Sequence, residues 1–348
     1  MYPYISVMIA TYNSAWTIEK PLQALRNQDY PQDRMDIMVI DGGSRDDTTT
    51  IAKKYGCRII DNPKVDPVSA KYIGLHSAKG KYLLSLDHDE VLVNPESIKM
   101  RIEALEIKNE CKVALCSGYR CPDGYRGLNS YVTEFGDPFS CFYYRSSIGY
   151  EYFQKTLEKW ATLEESNEGY EIYRFDKRTD IVLLELLSAA IIINLEYFKG
   201  IIDFDNCKDE IEHFFYKMIE NGQKDVIYTI NDPLDHYSVD SIKSYLPKLK
   251  WRVVNNIHFE NAARQGFEGR SRITKSSKIK KYLFIPYSLS LVVPFLDACY
   301  LAISRKNKAY FLHVYLCMYV AAYILYQYTR KILHIPPKIK AYNGDSLE

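Results

Sequence analysis

Residues 81–89 read Lys-Tyr-Leu-Leu-Ser-Leu-Asp-His-Asp, an apolar run that ends in two carboxylates one residue apart. Such a run predicts a buried strand with Asp87 and Asp89 at its carboxyl end. On an extended chain these two side chains point the same way, and His88 points the other way. Hard divalent cations prefer carboxylate oxygens, and a cation held here could carry the phosphates of a nucleotide. Alone, the pair is more often a solvated acidic loop, so its surroundings decide the interpretation.

Strands and helices alternate through the first part of the chain. This alternation, with apolar strands, predicts a parallel sheet covered by helices on both faces. Ligands of such sheets bind at the carboxyl ends of the strands, where Tyr12, Asp41 and Asp87 are expected to converge. The predicted strands cover residues 5–10, 35–40, 58–60 and 81–86, and the predicted helices cover residues 15–28 and 67–77.

Four segments resemble the opening motifs of family-two, GT-A-fold glycosyltransferases, in the same order and at similar spacing. The resemblance implies an α/β, Rossmann-like GT-A fold with a mixed, mainly parallel sheet and helices on both faces. It also implies a glycosyltransferase of the hexose-transferring type that uses a nucleotide-sugar donor. The segments are Ser-Val-Met-Ile-Ala-Thr-Tyr-Asn at 6–13, Val-Ile-Asp-Gly-Gly-Ser-Arg-Asp-Asp-Thr at 39–48, Ser-Ala-Lys-Tyr-Ile-Gly-Leu at 69–75 and Ser-Leu-Asp-His-Asp-Glu at 85–90.

The resemblance assigns four residues to the nucleotide. Ala10 and Tyr12 would contact it at the end of the first strand, with the Tyr12 ring against the base. Asp41 would accept a hydrogen bond from the base, as from the imide N–H of uracil. Lys71, which stands where the family usually has Arg, would approach the nucleotide. Ordinary packing of Tyr12 and ordinary solvation of Lys71 are the alternatives.

The resemblance also implies a divalent cation, Mg²⁺ or Mn²⁺, that neutralises the diphosphate leaving group. Asp89 would ligate this cation, and Asp87 would contact the ribose or a metal-bound water. His236 follows an Asn-Asp-Pro-Leu-Asp segment and would contact the metal or the diphosphate, as a histidine does in many relatives. His88 replaces the small residue that is usual in the motif and receives no role.

A general base is expected in the segment Phe-Asp-Asn-Cys-Lys-Asp-Glu-Ile-Glu-His-Phe-Phe at 204–215. By resemblance, Glu210 stands where the family has its base, in an inverting transfer that deprotonates the acceptor hydroxyl. The acidic order differs from the family pattern, so the choice among Asp209, Glu210 and Glu212 stays open. The alternative is an acidic first helical turn that favours the helix dipole.

Two apolar stretches in the C-terminal part, at 282–304 and 309–329, are each near the length that spans a bilayer as a helix. The basic loop between them and Asp297 inside the first stretch favour an interfacial or re-entrant hairpin over two spans. A buried helical pair in a soluble protein is the alternative. The predicted division is a GT-A catalytic domain at 1–235, a basic amphipathic neck at 236–281, a membrane-associated apolar hairpin at 282–331 and a tail at 332–348.

The chain of 348 residues has a net charge of +1, which gives no support for nucleic-acid binding. The sequence therefore predicts a metal-dependent, inverting glycosyltransferase at the cytoplasmic face of the cell membrane. It would move sugar from a UDP- or GDP-linked donor to a lipid-linked saccharide in surface polysaccharide or glycolipid assembly. A polyprenyl-phosphate sugar synthase is one alternative, and an inactive membrane scaffold with a nucleotide-binding fold is another.

Overall fold

The computed structural model describes residues 2–125, 127–175, 190–201, 203, 218, 221–239, 241–258, 277–338 and 340. Candidate bases Asp209, Glu210 and Glu212 lie outside these residues. Contacts divide the chain into a first unit, Met1–Arg120 with Tyr150–His236, and a second unit, Cys121–Gly149 with Tyr237–Glu348. Residues 121–149 thus group with the C-terminal helices, whereas the sequence-based division places them in the catalytic domain.

The described residues form two sheets in the first unit and helices in both units. The strands are β1 (Ile5–Thr11), β2 (Met35–Asp41), β3 (Arg58–Asp61), β4 (Tyr82–Asp87), β5 (Glu90–Leu92), β6 (Val113–Leu115), β7 (Tyr119–Arg120), β8 (Thr162–Ser166), β9 (Tyr170–Arg174), β10 (Ile192–Asn194), β11 (Asp225–Thr229) and β12 (Leu234–His236). The helices are α1 (Glu19–Arg26), α2 (Thr48–Lys54), α3 (Pro67–Ser77), α4 (Ser97–Ile107), α5 (Leu128–Phe135), α6 (Pro138–Tyr144), α7 (Tyr150–Trp160), α8 (Leu195–Ile201), α9 (Ile242–His258), α10 (Ser277–Lys280), α11 (Phe284–Leu289), α12 (Val292–Ser304) and α13 (Leu312–Ile332).

The main sheet has the strand order β3-β2-β1-β4-β10-β6-β11-β9-β8. The first four strands in this order are parallel, and β10 then runs antiparallel to both β4 and β6. A smaller sheet has the order β5-β12-β7. The predicted α/β fold with a mixed, mainly parallel central sheet is confirmed.

Local sequence explains where α3 and β4 begin. Asp66 accepts a hydrogen bond of 2.8 Å from the backbone N–H of Ser69, and Pro67 occupies the first turn, so α3 starts at the predicted residue. Before β4, a Cβ at Gly80 would lie 2.5 Å from the backbone nitrogen of Ser6 and 2.6 Å from the carbonyl oxygen of Tyr82. Backbone therefore approaches too closely for any side chain at residue 80.

A buried ion pair fixes the connection that leads into β12. Arg101 on α4 and Asp232 are both fully buried, with 3.3 Å between Arg101 Nε and Asp232 Oδ2. Thr229 donates its hydroxyl to Asp232 Oδ2, and the Asp232 backbone N–H donates to Ser117 Oγ at 2.7 Å. Because an unpaired buried charge is costly, this pair restricts where β12 and His236 can lie.

The second unit is helical, and its longest helix packs along one stripe. In α13 the buried side chains recur at intervals of three and four residues, which is the spacing of one helical face. This helix packs against α6, α9, α11 and α12. Its buried side chains are His313, Leu316, Cys317, Val320, Ala321 and Gln327.

The first predicted apolar segment, residues 282–304, is not one straight helix. The helices Lys281–Leu289 and Val292–Ser304 meet at an angle of 91°. Leu291 at the break has a positive φ of 55°, and Pro294 lies in the first turn of α12, where its missing N–H costs nothing. By length and composition, one described helix, Lys308–Ile332, could cross a membrane, or two if the bent pair counts as one span.

Asp297, which weakened the first segment as a membrane span, is neutralised inside the second unit. Arg145 lies 2.7 Å from it, and Tyr287 donates its hydroxyl to it at 2.5 Å. The Tyr287 hydroxyl also lies 2.8 Å from His313 Nε2, and the Tyr131 hydroxyl lies 2.6 Å from His313 Nδ1. A polar chain therefore links the helices of this unit. Burial lowers the pKa of His313 to about 4.

This pKa predicts that the second unit loses stability in mild acid. The unfolded chain binds a proton at His313 as pH falls through its ordinary value of about 6.5, while the folded chain remains neutral until about pH 4. By pH 4.5 the loss should reach roughly 2–3 kcal/mol. Denaturant unfolding of the full chain in detergent, followed by circular dichroism from pH 7.5 to 4.5, measures it. His313→Gln should flatten the dependence.

His334→Gln is the matched control, because His334 is exposed and meets water in both states. It should keep the slope of the unsubstituted protein. The expectation fails if both variants show the same slope.

Candidate functional site

The parallel strand ends bring four of the sequence candidates to one edge of the main sheet. Ala10 lies opposite Asp87 on β4, and Thr11 lies opposite Asp41 on β2. Tyr12 follows directly, and a Cβ on Gly42 would meet its ring at 3.2 Å. Ala10, Tyr12, Asp41 and Asp87 therefore converge at the carboxyl ends of three parallel strands.

A cleft opens at this edge and includes the lysine that was expected near the nucleotide. Lys71 on α3 lines it together with Ala10 and Asp87. Lys71 reaches this edge because α3 follows β3 and returns over the sheet. The complete lining is Met8, Ala10, Ile40, Ala70, Lys71, Ser85, Leu86 and Asp87.

Asp41 is an internal acceptor for the loop that follows β2. It is only 5% exposed. Its Oδ1 accepts hydrogen bonds from the hydroxyls of Thr11 and Ser44, and its Oδ2 accepts from the backbone N–H groups of Gly43 and Ser44. A carboxylate has about four lone-pair positions, so a base N–H would have to replace one of these donors.

Reciprocal hydrogen bonds join the loops after β1 and β2. The N–H of Asn13 donates to Ser44 Oγ at 2.8 Å, and Asn13 Oδ1 accepts from the N–H of Arg45 at 2.9 Å. Asn13 has a φ of +48°, a conformation that asparagine tolerates better than most residues. The two loops thus hold each other in place beside the cleft.

Asp46 joins the same two loops further along the chain. It accepts from the N–H of Ala15 at 3.0 Å and from the hydroxyl of Thr48 at 2.5 Å. Burial raises the pKa of Asp46, but these hydrogen bonds outweigh it and leave the pKa below its usual value. An ionised Asp46 therefore fastens the start of α2 to the loop that precedes α1.

The expectation that an extended chain runs through Asp89 is wrong. Strand β4 ends at Asp87, and the next two residues form a turn before β5. Asp87 is consequently exposed, whereas Asp89 is buried. His88, which received no role from the sequence, contacts the buried Thr17, with 2.8 Å between its Nδ1 and the Thr17 hydroxyl.

Asp89 and His236 come together from distant parts of the sequence. His236 Nε2 lies 3.9 Å from Asp89 Oδ2, because β12 pairs with β5 directly after the turn. Among the residues that the structure describes, no group of three or more His, Cys, Asp or Glu side chains is arranged to hold a metal ion. This pair could supply two ligands, and a cation bound there would need its others from a substrate or water.

Glu90 and Tyr119 belong to the same cluster, although the sequence analysis gave them no role. The buried Glu90 accepts from the Asp87 N–H at 3.0 Å and from the hydroxyl of Tyr119. The Tyr119 ring stacks on His236 with 4.6 Å between ring centroids. Burial, followed by the charge of Asp87, raises the pKa of Glu90 well above its usual value. Glu90 ends the quoted motif, but nothing in the sequence pairs Tyr119 with it.

The fold and this edge define a class of protein, the GT-A nucleotide-binding α/β domain. Residues 6–170 match the family model of Glycosyl transferase family 2. This part of the chain is therefore a family 2 glycosyltransferase domain, as its motifs indicated.

Two curated relatives each match about a quarter of the chain. Glycosyltransferase AglE of Haloferax volcanii is 32% identical over 93 residues, which are 25% of this chain and 31% of that protein. The GalNAc(5)-diNAcBac-PP-undecaprenol beta-1,3-glucosyltransferase of Campylobacter jejuni is 31% identical over 101 residues, which are 26% of this chain and 31% of that protein. Each match thus spans about a third of the relative's length.

One solved structure resembles the fold over nearly the whole chain. It is the mannosyltransferase PcManGT from Pyrobaculum calidifontis, solved in complex with GDP-Man and Mn²⁺, with a TM-score of 0.54. The alignment covers 97% of this chain and 89% of that one, at 13% sequence identity. At this low sequence identity, the structural similarity supports the fold alone.

The hydrogen bonds of Asp41 predict a stability effect that an exposed carboxylate should not show. Asp41→Asn would place an amide N–H₂ among the four donors that now converge on the carboxylate. We expect the free energy of unfolding to fall by about 2–3 kcal/mol, as for hydrogen bonds to a charged group. Denaturant unfolding measures this loss.

Asp61→Asn is the matched control. Asp61 on β3 is the register partner of Asp41 on β2, but it is exposed. This substitution should change the free energy of unfolding by less than about 0.5 kcal/mol. Equal effects of the two substitutions would contradict the role of Asp41 as a loop brace.

Proposed function

We propose that this chain is a metal-dependent, inverting glycosyltransferase. It would take a sugar from a UDP- or GDP-linked donor and transfer it to a lipid-linked saccharide at the cytoplasmic face of a membrane. The observation that carries this proposal is the cleft at the carboxyl ends of β1 and β4. Ala10, Lys71 and Asp87 line it.

The residues at this edge suit a nucleoside diphosphate. Ala10 leaves room for a ring beside Tyr12, and the braced loop that includes Asp41 would form one wall of the base site. Lys71 would face the negative charge of the phosphates, and Asp87 the ribose. The mannosyltransferase of similar fold binds GDP-Man, which supports a nucleotide-sugar donor.

Asp89 and His236 fit a divalent cation whose remaining ligands come from the donor. Mg²⁺ in particular is commonly held by one or two carboxylates together with substrate phosphates. As an alternative to the ribose, Asp87 would contact a metal-bound water. Mg²⁺ or Mn²⁺ would supply charge neutralisation for the departing diphosphate. The mannosyltransferase complex contains Mn²⁺.

A lipid-linked acceptor is supported by one relative and by the composition of the second unit. The Campylobacter enzyme is named for an undecaprenol diphosphate acceptor. Residues 282–304 and 309–329 of this chain are strongly apolar, which favours association of the C-terminal helices with a membrane. The acceptor's sugar hydroxyl would need a base, and Glu210 is proposed for it, with Asp209 and Glu212 beside it.

The proposed metal site predicts that one part of the affinity for the nucleotide depends on the cation and another part does not. With Mn²⁺ present, Asp89→Asn should bind UDP or GDP at least tenfold more weakly than the unsubstituted chain, because it loses the ligand that joins cation to diphosphate. In EDTA, which removes the cation, the two proteins should bind the nucleotide with equal affinity. Isothermal titration calorimetry measures both affinities, and the exposed Asp61→Asn is the control. Unchanged Mn²⁺-dependent affinity would remove Asp89 from the site.

The proposed base predicts a kinetic effect that depends on the acceptor. With a saccharide acceptor, Glu210→Gln should lower kcat by about 10²–10⁴-fold, the usual contribution of a general base. Asp209→Asn and Glu212→Gln change the two competing carboxylates and should retain turnover if Glu210 is the base. Release of nucleoside diphosphate gives the rate, and NMR of the product gives the anomeric configuration.

Three outcomes would change the assignment. Near-normal turnover of Glu210→Gln would remove Glu210 as the base, and near-normal turnover of Asp209→Asn and Glu212→Gln as well would favour a polyprenyl-phosphate acceptor, which needs no strong base. A product that retains the donor's configuration would exclude the inverting mechanism. A chain with neither nucleotide-sugar turnover nor cation-dependent nucleotide binding would be a scaffold.

A further inference from the structure

Helix α12 is apolar on both of its sides, although only one side packs against protein. Its inner side is buried through Pro294, Ala298 and Leu301. The residues that face away from the unit are also large and apolar, and each is 43–78% exposed. This outer face of α12 consists of Val292, Val293, Phe295, Leu296, Tyr300 and Ile303.

Exposure of this kind is unusual for a surface that meets only water. Isolated exposed apolar side chains are normal, but a contiguous patch marks a binding surface. We infer that the outer face of α12 is a docking surface for an anionic lipid bilayer, which it enters from one side without spanning it. This inference rests on the proposed function only in the sense that a lipid-linked acceptor requires a membrane nearby.

The charges around this face select a lipid surface over a second protein. Residues 278–308 contain six Lys and Arg residues and a single acidic residue, Asp297. Asp297 turns inward, where Arg145 neutralises it at 2.7 Å. Lys306 and Lys308, which follow the outer face, are both exposed. An apolar helix face with lysines at its border is the composition of an interfacial anchor on anionic lipid.

The shape of the segment favours entry into one leaflet. α12 has 13 residues and is therefore about 20 Å long, which is shorter than the ~30 Å hydrocarbon core. Because the chain bends by 91° before α12, α11 does not extend this helix to a length that would cross the core. In α13 the buried stripe includes Gln327, which lies 3.0 Å from His258 of α9. α13 is thus held by protein along one whole side.

Vesicle flotation tests the docking surface with the full chain. Vesicles of equimolar phosphatidylglycerol and phosphatidylcholine should carry the protein upward in a density gradient. Leu296→Glu and Ile303→Glu should each weaken binding at least tenfold, because a carboxylate would have to enter the acyl region. The matched control is Ile107→Glu in the first unit, whose isoleucine is 69% exposed. It should float like the unsubstituted protein.

The lysines predict a dependence on lipid charge. Lys306→Gln and Lys308→Gln should each weaken binding to the anionic vesicles about fivefold. Neither should alter binding to vesicles of phosphatidylcholine alone. Equal losses on both kinds of vesicle would overturn the electrostatic part of the inference.

Labelling of the loop after α12 distinguishes one-leaflet docking from a spanning hairpin. A membrane-impermeant maleimide should modify Lys308→Cys in inverted membrane vesicles but not in intact cells, with peptide mapping to separate it from the native cysteines. A hairpin of two spans would place this loop on the outer side. Modification in intact cells would therefore overturn the one-leaflet placement.

Failure of this inference can be told from failure of the proposed function. Nucleotide-sugar hydrolysis in detergent reports the first unit alone, and Leu296→Glu should leave it unchanged. If the unsubstituted chain fails to float while it turns over donor, the docking surface is wrong and the enzyme assignment stands. A dimer that Leu296→Glu converts into a monomer, with no vesicle binding, would assign the face to a second copy instead.

Discussion

Parallel pairing of β1 with both β2 and β4 is the constraint on which the candidate site depends. Parallel strands end at the same edge of a sheet, so residues far apart in sequence become neighbours without any direct bond between their side chains. Ala10 and Asp87 are register partners, and Asp41 pairs with the next residue of β1. The side chains that gather at this edge are therefore selected by backbone hydrogen bonds. The loops then add precision, because the Thr11 hydroxyl donates to Asp41 and the N–H of Arg45 donates to Asn13 Oδ1.

The second half of the site is positioned by a different means. Asp89 lies in a turn, and His236 reaches it only because β12 pairs with β5 in the small sheet. The entry to β12 is held by the buried pair of Arg101 and Asp232. Desolvation of both charges offsets much of their attraction, but removal of either partner would leave an uncompensated buried charge, so the two side chains have to stay together. Rigid placement is what a two-residue ligand set for a shared cation requires.

Local patterns in the sequence predicted the elements whose determinants are local. The helix at 67–77 begins where Asp66 caps it, and the four parallel strands appear within one residue of their predicted ends. Long-range pairing was not predictable in this way. The contacts of Glu90 with Tyr119, of His88 with Thr17 and of Asp297 with Arg145 join segments 29, 71 and 152 residues apart. A single sequence carries no signal for such distances. The family motifs supplied the roles that periodicity could not.

Gly80 precedes β4 and lies at the opposite end of this strand from the candidate site. Its Cα sits against the backbone of Ser6 and Tyr82 with no room for a methyl group. Strand β4 begins two residues later, at Tyr82, and runs for six residues, or about 20 Å, to Asp87. A stiff strand transmits a tilt at its origin as a displacement at its tip. The position of the Asp87 carboxylate therefore depends on the close backbone contact at Gly80, one strand length away.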